Sequence, residues 1–330
     1  MESATTDAQD LIGRSAAGPG VALRHGSLRE GDEAAANAAQ PDHSLLAHLR
    51  DYIALTKPRI ISLLLVTTVA AMVVAAPEGL ALSTVLWTML GGYLAAGGAG
   101  AINHYLDRER DARMARTRGR PLVAGRIKPI HGLVFGIVLG ALAFVQLALT
   151  VNLLSAGLAM AGLLGYVFVY TMWLKPLTPQ NIVVGGAAGA VPPLVGWAAA
   201  TGSLTWDALY PFAIVFLWTP PHFWALSLLI KDDYARTGVP MLPVVRGEAA
   251  TRRQIMIYAF VLVVFTLAPV ATGLFGGIYL ASALALGSGF LGLAVHLGRS
   301  PSRPAALRLY LSSLAYLALL FSAMAIDRAV

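Results

Sequence analysis

Residues 80–104 read LALSTVLWTMLGGYLAAGGAGAINH, a stretch without a single Asp, Glu, Lys or Arg that runs directly into Tyr105-Leu106-Asp107-Arg108-Glu109-Arg110-Asp111. It exceeds the roughly 20 residues an α-helix needs to cross the apolar core of a bilayer, where every backbone N–H and C=O must be satisfied within the segment. Comparable apolar runs occupy 60–76, 131–150, 153–173, 180–200, 206–230, 254–274, 277–297 and 306–326. Of 330 residues, 57% are hydrophobic and 12% charged, with the charges gathered between these runs. The chain therefore reads as an all-α polytopic membrane protein of nine transmembrane helices, one domain over 45–330.

Asn103, Asp107 and Asp111 mark the end of the second span. Each four-residue step turns a helix by about 400°, so the three drift by only about 80° and share one face. An amide and two carboxylates offer the oxygen ligands that Mg2+ prefers, although Asn103 at a span end also suits a helix cap. Arg108, Arg110, Arg113, Arg116 and Arg118 crowd the following residues, with Arg120 just beyond. Metal-seeking oxygens beside guanidinium groups suggest a diphosphate, while arginines in such a connection also serve topology alone.

The connection holding these arginines, about 106–130, has a counterpart four spans later at about 231–253, on the same membrane face. Connections of that length tend to carry function. The second opens Lys231-Asp232-Asp233-Tyr234-Ala235-Arg236, so Asp232 or Asp233 is a further metal candidate and Lys231 a further diphosphate contact. Solvated helix-end charge is the plain alternative. Two acidic loops facing one cavity would hold Mg2+ around a departing diphosphate, and apolar walls below would shield a carbocation from water.

Residues 1–44 mix Gly, Ala, Ser, Asp and Arg with no apolar run long enough for a signal-peptide core, and are expected to form a disordered tail. Leu45, Leu49 and Ile53, with Arg50, Asp51 and Lys57 between them, suggest a short interfacial helix before Pro58, a linker being the alternative. A cytoplasmic amino terminus puts 23 of the 24 Lys and Arg residues on the cytoplasmic side and leaves only Arg328 opposite, with the carboxyl terminus. The net charge of +7 thus describes one membrane face, with membrane lipid and not nucleic acid as its partner. The absence of cysteine excludes disulfides, thiolate metal sites and cysteine nucleophiles.

His222 lies about 12 Å inside the sixth span, directly after Pro220-Pro221. Paired prolines free carbonyls and bend helices where the backbone lines a cavity, and Pro192-Pro193 suggests the same break in the fifth span. A polar group at such depth is a functional candidate; a histidine packed against a neighbouring helix is the alternative. His104 reads as solvated at the interface. Trp218, Phe223 and Trp224 suit either a pocket wall or ordinary packing. Gly91-Gly92, Gly97-Gly98-x-Gly100 and Gly185-Gly186-x-x-Gly189 lie within spans and are expected to serve close helix packing. A secondary transporter would also carry broken helices, but would not explain the acids.

Asn103-x-x-x-Asp107-x-x-x-Asp111 followed by Met114-x-Arg116-Thr117-x-x-Arg120-Pro121-Leu122 resembles the first signature of the UbiA-type intramembrane aromatic prenyltransferases. Three further segments are similar to the protohaem IX farnesyltransferase (haem O synthase) subfamily rather than to the quinone-making relatives. They are Lys175-Pro176-Leu177-Thr178-Pro179-Gln180-Asn181-Ile182, Thr219-Pro220-Pro221-His222-Phe223-Trp224-Ala225-Leu226, and Gly238-Val239-Pro240-Met241-Leu242-Pro243-Val244-Val245 with Gly247. The resemblance covers about 50–326.

The resemblance implies nine helices around a central cavity capped by two cytoplasmic acidic loops, in the plasma membrane of a prokaryote. It implies Mg2+-dependent transfer of the farnesyl group of farnesyl diphosphate to a vinyl group of haem b, giving haem O and diphosphate. Asn103, Asp107 and Asp111 would hold metal, Arg116 and Arg120 the diphosphate, and His222 becomes a candidate for contact with haem, including as iron ligand. A haem A synthase or terminal-oxidase assembly is a candidate partner. A quinone precursor or chlorophyll-type ring stands as the alternative acceptor. Many relatives carry a second Asp-x-x-x-Asp, whereas here Leu228 and Leu229 lie four residues before Asp232 and Asp233, and Arg236 and Thr237 four after. Which acid of the second loop binds metal is left open.

Overall fold

The computed structural model describes residues 44–330, so the tail expected over 1–44 lies, except for Ser44, outside the described residues. Among the described residues there is no strand. The helices are α1 (Leu45–Thr56), α2 (Pro58–Ala75), α3 (Leu82–Ala112), α4 (Pro129–Thr150) and α5 (Leu153–Leu164), which continues through a π-helix, Gly165–Leu174. Then come α6 (Asn181–Thr201), α7 (Leu209–Leu229), two short helices α8 (Lys231–Arg236) and α9 (Leu242–Val245), α10 (Gly247–Phe265), α11 (Gly277–Arg299) and α12 (Arg303–Ala329). Nine helices among the described residues are long and apolar enough to cross a membrane, and each overlaps an expected span. Local chemistry sets several ends. Pro58 opens α2, the Asn152 side chain accepts from Ser155 N to cap α5, Ser302 accepts from Ala305 N to cap α12, and Gly202 at φ 70° closes α6.

Each spanning helix packs on the next, and α12 returns to α2. α2 also packs on α6, and α7 on α12, so α2, α6, α7 and α12 surround the centre, with α3–α5 on one flank and α10–α11 on the other. Burial is greatest in α6 and α7, where 56% of the apolar window is buried, against 28% in α4, α5, α10 and α11. Outward side chains such as Ile137, Leu142, Leu149, Phe168, Phe260 and Val264 are exposed, which suits a lipid environment and would be a liability in water.

The in-span glycines do what close packing requires. A Cβ on Gly98 would stand 2.7 Å from the Gly136 carbonyl oxygen, so the backbones of α3 and α4 touch there. The expected breaks at the proline pairs are not seen. α6 runs through Pro192 and Pro193, and α7 through Pro220 and Pro221, as uninterrupted helices despite the missing N–H donors. α1 is a helix and not a linker. It buries Leu55, exposes Leu45, Leu46, Leu49 and Ile53, and is held by a fork from Arg126 to Asp51, with Nε–Oδ2 at 2.8 Å and Nη2–Oδ1 at 3.0 Å.

Candidate functional site

α3 runs unbroken to Ala112, eight residues past the end expected for the second span. At about 46 Å it is longer than a bilayer core is thick. The acidic motif therefore stands on a rigid helix end and not in a loop. Asn103, Asp107 and Asp111 lie on one face as their spacing requires, and all three are buried, at 3%, 1% and 5% exposure. Burying carboxylates demands positive partners, and each has them. Asp107 Oδ2 accepts from Asn103 Nδ2 at 2.8 Å and from Lys175 Nζ at 2.5 Å, and Arg110 approaches Oδ1 at 3.3 Å. Asp111 Oδ2 accepts from Arg120 Nη1 at 2.5 Å. Asn103 Oδ1 accepts from Lys57 Nζ at 2.7 Å.

Two of these cations come from local backbone departures. A π-helix has more residues per turn than an α-helix, which brings Tyr166, Thr171 and Lys175 toward one side of α5. Thr171 Oγ1 donates to the Tyr166 carbonyl at 2.9 Å across the widened turn and accepts from Asn103 Nδ2 at 3.3 Å. Lys57 is the one non-glycine residue at positive φ among the described residues, at φ 58°, ψ 56°, directly before a proline. Backbone strain of this kind collects at functional sites, and here it turns a lysine inward between α1 and α2. Burial first, then Arg120 and Lys175, lower the Lys57 pKa to about 7, with Asp107 and Asp111 opposing.

The second acidic segment reaches the first through Tyr234. This residue of α8 is buried and lies within electrostatic reach of Arg116, Asp107 and Arg120, and burial raises its phenol pKa. Tyr166 and Tyr170, with ring centroids 5.3 Å apart and planes tilted by 31°, both lie within electrostatic reach of Asp107. Asp233 is buried and ion-paired with Arg236, while Asp232 is exposed. Of the two candidate acids, Asp233 is the one turned into the protein. Among the described residues no three His, Cys, Asp or Glu side chains are gathered as a ready metal cage. Donor chemistry nonetheless fits a hard cation: Asp107 and Asp111 present carboxylate oxygens and Asn103 its Oδ1, and the ammonium and guanidinium groups now on them mark where positive charge belongs.

Other expected residues divide. Arg120 is at the site, and exposed Arg116 lies beside Tyr234 and Tyr310. Lys231, expected on the diphosphate, is ion-paired with Glu248, which raises its pKa, next to a cavity of about 180 Å3 lined by Glu248, Arg252 and Arg303. Its sequence position beside the acids did not reveal that α10 starts early enough to offer it a carboxylate. His104 is not solvated. It is 4% exposed with neither ring nitrogen hydrogen-bonded, because α3 extends past it and carries it into the packed end of the bundle, within electrostatic reach of Lys57 and Arg120.

His222 is buried in α7 between two stacked rings, Trp218 at 4.2 Å and Tyr310 at 4.9 Å between centroids. Its Nδ1 lies 2.6 Å from Ser313 Oγ on α12, so the bond to a neighbouring helix exists, while Nε2 has no hydrogen bond. Trp224 is buried, and Trp218 Nε1 donates to the Ser313 carbonyl at 2.8 Å. The reading of the sequence missed Lys57, Lys175, Tyr166, Tyr170, Thr171 and Tyr234. Lys175-Pro176 and Lys57-Pro58 were the available signals, cations at the ends of apolar spans whose direction only the backbone decides.

The UbiA prenyltransferase family model matches residues 64–320. The chain is 56% identical over 283 residues to a protoheme IX farnesyltransferase of Roseiflexus sp. (strain RS-1), covering 86% of this chain and 53% of that protein. It spans about half the length of the first relatives of this kind. A protoheme IX farnesyltransferase of Symbiobacterium thermophilum is matched nearly whole, at 56% identity over 84% of this chain and 94% of that protein. Among solved structures, a digeranylgeranylglyceryl phosphate synthase superposes with a TM-score of 0.71 at 17% identity, covering 85% of this chain and 98% of that one. A UbiA homologue from Archaeoglobus fulgidus bound to DMAPP and Mg2+ gives 0.57 at 13%, covering 84% and 99%. These likenesses show the fold, the family match reaches from α2 to α12 across the acidic cluster, and the chain belongs to the UbiA prenyltransferase family.

Proposed function

We propose that this protein transfers the farnesyl group of farnesyl diphosphate to a vinyl group of haem b, releasing diphosphate and forming haem O. The observation that carries the reading is the buried face of Asn103, Asp107 and Asp111, ringed by Lys57, Lys175 and Arg120 at the end of an apolar helix bundle. Relatives named protoheme IX farnesyltransferase at 56% identity support the choice of acceptor and donor.

Asn103, Asp107, Asp111 and Asp233 would hold Mg2+, which when bound neutralises charge on the departing diphosphate. Lys57, Lys175, Arg116 and Arg120 bind the phosphate oxygens and compensate the negative charge that grows as the allylic carbon–oxygen bond breaks. Tyr166 and Tyr170, within electrostatic reach of Asp107, would supply aromatic quadrupoles that favour an allylic cation. The vinyl carbon attacks that cation without a general base, and water adds to the resulting cation beside the porphyrin and releases a proton to solvent, leaving the hydroxyl group. The apolar bundle keeps water from the farnesyl cation before this.

The distribution of Lys and Arg supports a cytoplasmic amino terminus and an outer carboxyl terminus. The resemblance to bacterial protoheme IX farnesyltransferases supports the plasma membrane of a prokaryote and a haem A synthase or terminal-oxidase assembly as the consumer of the product. The experiment is to supply the purified full chain with Mg2+, farnesyl diphosphate and, separately, haem b, a quinone precursor and a chlorophyll-type ring. Mass spectrometry should find the hydroxyethylfarnesyl adduct of haem alone, with stoichiometric diphosphate. Prenylation of another acceptor, or no diphosphate release, overturns the assignment.

A further inference from the structure

The geometry points to Ser313 as a positioning residue that holds His222 in one tautomer, so that Nε2 is presented with its lone pair free to coordinate the iron of the haem substrate. This inference rests on the farnesyl-to-haem reading and adds to it a residue on α12 that lies outside every motif of the sequence.

A serine hydroxyl has one proton. Ser313 Oγ donates it to the Tyr310 carbonyl, three residues back, at 2.6 Å. The same oxygen lies 2.6 Å from His222 Nδ1 and has no second proton to give. The hydrogen-bond network therefore assigns the ring proton to Nδ1, with the serine accepting. In a neutral imidazole this leaves Nε2 as the bare nitrogen. Nε2 makes no hydrogen bond and is not among the sealed, unpartnered polar atoms.

The ring plane is fixed as well. Trp218 stacks on His222 with 19° between planes and Tyr310 with 29°, and Phe223 meets it edge-on at 5.5 Å. Trp218 is itself anchored by its indole N–H to the carbonyl of the same Ser313. One residue of α12 thus receives two bonds from α7, one on each side of Pro220-Pro221, where the helix lacks two backbone donors. Histidines that ligate metals generally donate their other ring N–H to a fixed acceptor, which sets tautomer and orientation. His222 has that arrangement in full, with a ring held by Trp218, Tyr310 and Phe223 and an Nε2 that makes no hydrogen bond. Haem is the metal-bearing ligand that the proposed reaction brings to this depth.

The test titrates ferric and ferrous haem b into the purified full chain in detergent and records visible spectra and affinity, with haem O formation followed separately by mass spectrometry. His222→Ala should abolish the histidine-ligated spectrum. Ser313→Ala should weaken haem binding on the order of tenfold or more and alter the spectrum, with farnesyl diphosphate binding unchanged. Ser313→Thr, which keeps the hydroxyl, should restore the wild-type spectrum. Ser313→Cys, close in volume but a weak acceptor, should lie between and keeps the test decisive if the alanine variant does not fold. If Ser313→Ala and Ser313→Cys match the wild type while His222→Ala does not, Ser313 only packs helices and the inference fails. If His222→Ala leaves the spectrum intact while haem O still forms, the inference fails and the functional reading stands. A wild type that neither binds haem nor forms haem O removes both.

Discussion

Lys175 Nζ lies 2.5 Å from Asp107 Oδ2, joining the far end of a π-helix to a buried carboxylate 68 residues away. Side-chain exposure is 14% for the lysine and 2% for the aspartate. Losing one partner of such a buried pair strands the other's charge and typically costs about 3–5 kcal/mol. Lys175→Met should therefore lower the unfolding temperature in detergent and, separately, raise the KM for farnesyl diphosphate. Both Tm and KM staying at wild-type values would show that Lys175 neither balances Asp107 nor meets the diphosphate.

Asp107→Ala and Asp111→Ala should each abolish product formation while the protein still inserts and purifies, because each removes a metal oxygen and frees a cation to compete for the diphosphate. Asp111→Lys should abolish product formation too and in addition lower the unfolding temperature below that of the alanine variant, since it puts a second positive charge against Arg120, which now sits 2.5 Å from the carboxylate. Diphosphate release is the readout. Near-normal turnover in either alanine variant would remove the metal argument.

Repeating four-residue steps and long apolar runs survive any packing, so the nine helices and the shared face of Asn103, Asp107 and Asp111 were legible from residue order alone. Directions set by backbone detail were not. Lys57 faces inward because of a single left-handed residue, and Lys175 because of a π-helix, and neither has a sequence period. The surroundings of Lys231 and His104 were not legible for a related reason. Helix ends fell up to eight residues from where hydropathy alone puts them, giving the first an unforeseen partner in Glu248 and burying the second. The acids of α8 carried no spacing signal, and burial alone singles out Asp233.

Arg116→Lys and Arg120→Lys keep the charge but lose the planar fork. At Arg120, which reaches Asp111 through one Nη, the loss should appear in turnover as the developing diphosphate charge goes less well compensated. At Arg116, exposed beside Tyr234 and Tyr310, it should appear first in the KM for farnesyl diphosphate. Steady-state kinetics over a range of farnesyl diphosphate separates the two. Unchanged parameters in both variants would return these arginines to a purely topological role.

Gly98 and Gly189 should respond oppositely to alanine. A Cβ on Gly98 meets the backbone oxygen of Gly136 at 2.7 Å, and backbone cannot step aside like a flexible side chain, so Gly98→Ala should separate α3 from α4 at a cost of about 1–3 kcal/mol. At Gly189 the added methyl meets nothing within 4 Å, and helix propensity favours alanine by about 0.5–1 kcal/mol. Thermal unfolding of the two purified variants checks the signs. Equal behaviour would mean that the α3–α4 contact is softer than its distances imply.

Asp327 ties two helices together at the end of the bundle away from the acidic cluster. Its Oδ2 accepts from Gly276 N at 2.5 Å and its Oδ1 from Tyr279 N at 3.0 Å, so a carboxylate of α12 caps the first turn of α11. Helix N-termini present N–H groups without intrahelical partners and a partial positive charge, and an anionic acceptor satisfies both. Asp327→Ala should cost about 0.5–2 kcal/mol, and Asp327→Asn, which keeps one acceptor oxygen without the charge, should cost less. Arg303, at the other end of α12, donates to the Leu229 carbonyl next to α8, about 36 Å from Asp327 along the helix. Turnover per folded molecule should therefore not change in either variant. Chemical unfolding in detergent, run beside the diphosphate-release assay, distinguishes this from a catalytic effect: a fall in turnover with stability intact would place Asp327 in the function of the protein instead of in its fold.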